Sequence, residues 1–422
     1  MSRGDFFTFL QISNVRLDCK PLGGLELPEE LKRKRIEEIV IAFKRAMTAA
    51  VEQRVGAVFV VGNLWDASVV NRSTIASVIT VFESVQNIPV FVVPGRYDPY
   101  GFDSPYSDEF LEALELPTLP SNVYVFGDQN FETVKHPYRE DVTVTAKSYS
   151  AATLSYEKGQ AGRPEPPSEK GFHILLTTDP INGFFDPYEA ALEPTEHSLP
   201  DTELSSWGFS YTGVGFGDNC MELKDIKGRV VGAQAGSLTC QKISNLGARV
   251  GILGGLQYDA AGLCQCTLQP VEFDNRRIFQ ISADISGLSA EDATEEVVQS
   301  FEDEGARSQE DIAHLILEGR YREQSEPKEI GERLKSEFFH AVIEDNTRSD
   351  YLSETFDPRS PEARFIESML VLKRHAERQN VNETGQHVLI EGEPLSGRTV
   401  EDALYYGLDA LRQKRVNLRH VD

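Results

Sequence analysis

Residues 56–66 read GAVFVVGNLWD. A short, wholly apolar run that breaks at Gly62 and Asn63 describes a strand covered on both faces and ended by a tight turn. The same pattern returns at 88–98, IPVFVVPGRYD, and opens the chain at 6–18, FFTFLQISNVRLD. Between these runs, residues 29–54 and 72–86 carry helical spacing, with Ile36, Ile39, Val40, Phe43 and Met47 near one face of the first. Strand–helix–strand–helix–strand predicts a layered α/β sheet. In such sheets the loops past the C-terminal strand ends carry the site. Asn14, Asn63 and Arg96 each stand just past a strand.

Further along, shorter strands are expected at 122–126, 142–149, 172–177, 210–215, 229–235 and 262–273, with a Pro/Gly/charge loop at 157–170. A second unit begins near 276, where RRIFQISADIS reads as a strand and SAEDATEEVVQSFEDEG as a helix. Ser289 and Asp292 give that helix its capping pattern and Gly305 follows it. A further strand and a helix near 328–339 complete a small α+β unit. Amphipathic helices at 361–379 and 399–413 form the tail. The expected division is 1–275, 276–345 and 346–422.

Hydrophobic residues make up 40% of the 422, enough for a real core. No apolar run of about 18 residues is present, so no membrane span is expected, and the opening residues lack a signal-peptide pattern. A net charge of −25 argues against independent binding to a nucleic-acid backbone, which needs basic patches. The five cysteines are scattered; Cys264 and Cys266 form a C-x-C pair too small for a zinc site. A reducing, cytoplasmic setting is the expectation.

The turns carry a resemblance. Ser13-Asn14-Val15-Arg16-Leu17-Asp18 stands where calcineurin-like metallophosphoesterases have Asp-x-His. Gly62-Asn63-Leu64-Trp65-Asp66 stands for Gly-Asp-x-x-Asp, and Gly95-Arg96-Tyr97-Asp98 for Gly-Asn-His-Asp. HILLTTDP puts Thr178 where the family has a His at a strand end, and Gly215-Phe216-Gly217-Asp218 replaces Gly-His-x-His. Ala235-Gly236-Ser237 is similar to the family's Pro-Gly-Ser turn, and ISADISGLSAED to the start of its capping domain. The chain resembles above all the bacterial SbcD/YhaO-type DNA-repair exonucleases, over roughly 1–345. That resemblance implies a four-layer α/β/β/α sandwich with a small α+β cap and a helical tail.

It also implies a two-metal centre whose ligands are largely gone. Asn14 and Asn63 replace acids, Arg16 and Arg96 bring fixed positive charge, and Thr178 and Phe216 remove imidazoles. Tyr97 stands at the catalytic-His position, where a phenol of pKa about 10 is a poor proton donor. Asp218 alone is a good hard-cation ligand, and Asp18, Asp66 and Asp98 are supporting acids. Three readings of the centre stand open. The arginines fill the metal void by pairing with Asp98, Asp66, Asp18 or Asp218; they form an anion pocket; or one Mg²⁺ or Mn²⁺ is held by Asp218, Asp98 or Asp179. The resemblance implies a non-catalytic scaffold subunit without cofactor, working as a homodimer with an SbcC-like coiled-coil ATPase and reaching DNA only through that complex. The alternatives are an active Mn/Mg-dependent phosphodiesterase or exonuclease and an anion-binding module using Arg16 and Arg96.

Overall fold

The structure, a computed structural model, describes residues 6–19, 23–128, 130–149, 164–179, 207–322, 326–354, 356–379, 389–390, 393–394 and 396–413. Of the loop expected at 157–170, residues 157–163 lie outside this set.

The three apolar runs become β1 (Phe6–Ser13), β2 (Ala57–Val61) and β3 (Val90–Val93), separated by α1 (Glu29–Glu52) and α2 (Arg72–Ser84). A short α3 (Asp108–Ala113) and β4 (Val123–Val125) follow. β1 to β4 run parallel, with Leu10 beside Val58 and Val60 beside Val92. Alternate strand residues Leu10, Ile12, Val58, Val60, Val90 and Val92 face the helices. α1 answers with Ile39, Phe43, Ala46, Met47 and Ala50, one stripe at helical spacing, and α2 with Val78, Val81 and Phe82. Phe43 and Phe82 meet edge to face at 5.8 Å.

A second sheet holds β5 (Glu132–His136), β6 (Arg139–Ala146), β7 (Phe172–Thr177), β8 (Tyr211–Val214), β9 (Met221–Lys224) and β10 (Val230–Gln234). Its order is β5-β6-β7-β8-β10-β9, parallel at the centre and antiparallel at both edges. β11 (Val250–Tyr258) and β12 (Cys264–Glu272) then return to the first sheet, giving β12-β11-β1-β2-β3-β4. The sequence reading has only one strand here, at 262–273. It misses β11 because VGILGGLQY is glycine-rich. One glycine has a packing cause: a Cβ on Gly254 would lie 2.0 Å from Cζ of Phe9.

The sheets pack face to face. Phe7, Phe9, Phe59 and Phe91 from the first meet Val142, Val144, Phe172, Ile174 and Tyr211 from the second. The rings of Phe9 and Tyr211 are 4.5 Å apart. Gln11 continues this inward face toward the site loops and is fully buried. Its Nε2 donates to the carbonyls of Val214 and Ala233 at 3.1 and 3.2 Å, and its Oε1 accepts from the Tyr211 hydroxyl at 2.6 Å. A buried amide so satisfied ties one sheet to the other at a fixed register. The architecture is mixed α/β, with helices outside the first sheet and the second sheet behind it.

The chain divides into two compact units, Met1–Phe279 with Glu310–Ile312, and Gln280–Gln309 with Ala313–Asp422. The tail helices lie in the second of these units. Most of a three-stranded sheet of Ile278–Asp284, Ile312–Glu318 and His340–Asp345 belongs to the second unit, with helices Ala290–Asp303 and Glu326–Glu337. Ser289 caps the first of these, accepting from the Asp292 amide at 3.1 Å. Helices Pro361–Gln379 and Gly397–Gln413 pack together around Phe365, Ile366, Met369, Leu404 and Leu408. No helix among the described residues is long and apolar enough to cross a membrane.

Candidate functional site

Because β1, β2 and β3 are parallel, their C-terminal ends release their loops side by side. Backbone pairing continues past the strands: the amide of Asn14 donates to Gly62 O at 3.1 Å, that of Arg16 to Asn63 O at 2.8 Å, and that of Leu17 to Leu64 O at 3.0 Å. To hold this path, Asn14, Arg16, Asp18 and Asn63 adopt φ of 47°, 50°, 60° and 53°. Asn and Asp tolerate that left-handed region, whereas an Arg held there is strained. The second sheet's loops close in from the other side. A Cβ on Gly62 would stand 3.0 Å from Thr178 Cγ2 and 3.1 Å from Gly215 O.

At the meeting point the two asparagines form a chain of hydrogen bonds. Asn14 Nδ2 donates to Gly217 O at 2.6 Å, and Asn63 Nδ2 donates to Asn14 Oδ1 at 2.6 Å. The Tyr97 amide donates to Asn63 Oδ1 at 2.8 Å. Both ends fix the amide orientations, because a backbone N–H can only donate and a carbonyl can only accept. The relay thus joins the loops after β1, β2, β3 and β8 through groups that only amides supply in this order.

Each acid near the relay is committed. Asp98 is fully buried and accepts from the amides of Asn63, Leu64 and Gly95 at 3.0, 2.6 and 2.6 Å, and from the Tyr106 hydroxyl at 2.6 Å. Burial pushes its carboxyl up to about 6, against the pull of the Tyr106 hydroxyl and the three backbone donors. Asp18 accepts from the amide and the Nδ2 of Asn71 at 2.9 and 2.7 Å. Asn71 in turn caps α2, accepting from the Thr74 amide at 3.0 Å. Asp66 holds the amide and hydroxyl of Ser68. Asp218 pairs with Lys242 at 2.8 Å and accepts from Asn245 at 3.3 Å, and Asp179 pairs with Lys147 at 2.7 Å.

Among the described residues neither Arg16 nor Arg96 pairs with one of these acids, unlike the expected charge replacement. Arg16 is buried, 7% exposed, and its guanidinium stacks 4.1 Å from the Tyr97 ring centroid. Its Nε has no hydrogen-bond partner among the described residues. Arg96 is exposed, and Tyr97 is 42% exposed. Phe216 packs against an apolar cluster with Trp207, Val214 and Leu223. The residues the sequence reading misses are Tyr106, Asn71, Lys242, Asn245 and Gln11, each a partner lying outside the motifs. Lys242 and Asn245 follow the Ala235-Gly236-Ser237 turn, whose Gly236 must lack a Cβ because one would lie 2.5 Å from Asp218 O.

No family model and no curated protein matches the chain. Among solved structures, it is similar to TT1561 of Thermus thermophilus at 12% identity and a TM-score of 0.34, covering 64% of this chain and 99% of that one. A dimetal phosphatase from Danio rerio aligns at 11% identity and a TM-score of 0.35, covering 62% of this chain and 98% of that one. Likeness at this level assigns neither family nor activity.

The two-metal centre implied by the motif resemblance does not fit the residues present. A hard cation needs oxygen lone pairs directed at one point. The oxygens of Asn14 and Asn63 are neutral and each already accepts one N–H, and Asp218 faces an ammonium. Among the described residues, no group of three or more His, Cys, Asp or Glu is placed to hold a metal.

Proposed function

We propose that this chain is a calcineurin-like metallophosphoesterase-fold protein, of the SbcD/YhaO-type branch, in which an amide relay stands in place of the two-metal centre. Its role in this reading is that of a non-catalytic scaffold or regulatory subunit. The observation that carries the reading is the chain from Gly217 O through Asn14 and Asn63 to the Tyr97 amide. Those bonds hold the loops together by hydrogen bonding, where metal-bridged loops would be held by carboxylates. Among the described residues a two-metal clamp on a phosphate finds no cluster of three or more His, Cys, Asp or Glu to form on, so this reading assigns the site no hydrolytic step.

The same reading takes the protein as a cytoplasmic homodimer that works with an SbcC-like coiled-coil ATPase and meets DNA only through that complex. α1 and α2 are the candidate dimer elements. The tail helices are the candidate ATPase contacts, and Leu370, Val371 and Leu411 on them are 37%, 42% and 45% exposed.

The test is calorimetric titration of chelator-stripped protein with Mn²⁺, with phosphodiester hydrolysis followed in the same samples. The expected result is no saturable heat and no turnover at millimolar Mn²⁺. Saturable binding with turnover that disappears in Asp218→Ala overturns the reading.

A further inference from the structure

We infer that Arg16 forms the floor of a metal-independent site for a phosphate-type oxyanion. The residue is 7% exposed, its Nε is buried without a hydrogen-bond partner, and no ion pair to its guanidinium is found among the described residues. Among the described residues no nearby acid pairs with it: Asp18 holds Asn71, Asp66 holds Ser68, Asp98 holds Tyr106 and three amides, and Asp218 holds Lys242. A buried charge without a hydrogen-bonded counter-ion is unfavourable, and a guanidinium cannot escape by losing its proton. The Tyr97 ring, 4.1 Å from the guanidinium carbon, offsets part of its charge but its face offers no lone pairs to the N–H fork. The backbone at Arg16 holds a φ of 50° to place it there.

The chemistry that completes such a group is a compact oxyanion accepting two parallel N–H bonds, as phosphate does. Arg96 and the Tyr97 hydroxyl lie on the adjoining loop after β3, exposed and able to donate from the solvent side. At a net charge of −25 the chain as a whole repels anions, so saturable phosphate binding reports a built site rather than bulk attraction. Anion binding here is separate from the scaffold role: it concerns what the loops hold, whether or not a partner is bound.

The test uses the full chain in excess chelator, titrated calorimetrically with inorganic phosphate and, separately, with dimethyl phosphate. Wild type is expected to bind at least one of them saturably. Preference for inorganic phosphate assigns a free or terminal phosphate, and preference for dimethyl phosphate an internal phosphodiester. Arg16→Lys keeps the charge but not the fork and is expected to weaken binding by about ten-fold or more. Arg16→Met is expected to abolish binding, with a thermal midpoint in phosphate-free buffer no lower than wild type. The inference is overturned by absence of saturable heat at millimolar anion, by equal binding in Arg16→Met, by binding that requires Mn²⁺, or by a lowered midpoint of Arg16→Met, which would mean a structural partner.

Discussion

Asn63 shows why an amide rather than an acid occupies the relay. Its oxygen must accept from the Tyr97 amide while its nitrogen donates to Asn14. In Asn63→Asp the carboxylate still accepts from Tyr97, but Asn14 must turn over to donate to it and then sets its oxygen against Gly217 O. The expected loss is about 1–3 kcal/mol, read from urea unfolding, and unchanged stability would count against the relay. Arg16 has the opposite expectation. Breaking a buried ion pair costs about 3–5 kcal/mol, whereas Arg16→Met, with no pair to break, should be neutral or stabilising in the same assay. The motif reading locates Asn14, Asn63, Arg16 and Arg96 from the glycines and strand ends beside them. It does not show what they bond to, because the partner of Asn14 lies 203 positions away and pairing at that separation leaves no local pattern.

At the scale of elements, the loops after β2 and β3 must approach closely enough for Asp98 to reach the amides of Asn63 and Leu64. Gly95 permits this. A Cβ there would stand 2.4 Å from Asn63 Oδ1 and 2.7 Å from its backbone nitrogen. Gly95→Ala must therefore displace Asn63 and break the relay, for an expected loss of about 1–3 kcal/mol or more in unfolding experiments. The first three strands and their helices are legible in sequence because both faces of the sheet are covered and the runs are unbroken. β11 is not, because its glycines answer to Phe9 from another strand rather than to any period of their own. The tail helices are legible from periodicity, but their grouping with the cap rests on contacts such as Arg320 with Glu401 at 3.3 Å and Tyr351 with Tyr405 at 6.3 Å.

Across the first unit, a buried ionic network anchors α1. Arg35, fully buried, donates to Glu38 at 3.1 Å, to Asp274 at 2.8 Å and to Cys240 O at 2.9 Å, while Arg276 donates to Glu38 at 2.7 Å. Arg35→Met leaves Asp274 buried without its guanidinium and should cost about 3–5 kcal/mol of unfolding free energy. This network holds α1, and the amide relay holds the loops after β1, β2, β3 and β8, through the chain's own groups. The most direct test is the unfolding free energy of the wild-type chain in excess chelator and in millimolar Mn²⁺ at matched ionic strength. A cation held by the native loops at a hundred times its dissociation constant would add about 2.7 kcal/mol. Superimposable unfolding curves are the expected result, and a midpoint that rises with Mn²⁺ would contradict the proposed amide relay in place of a metal centre.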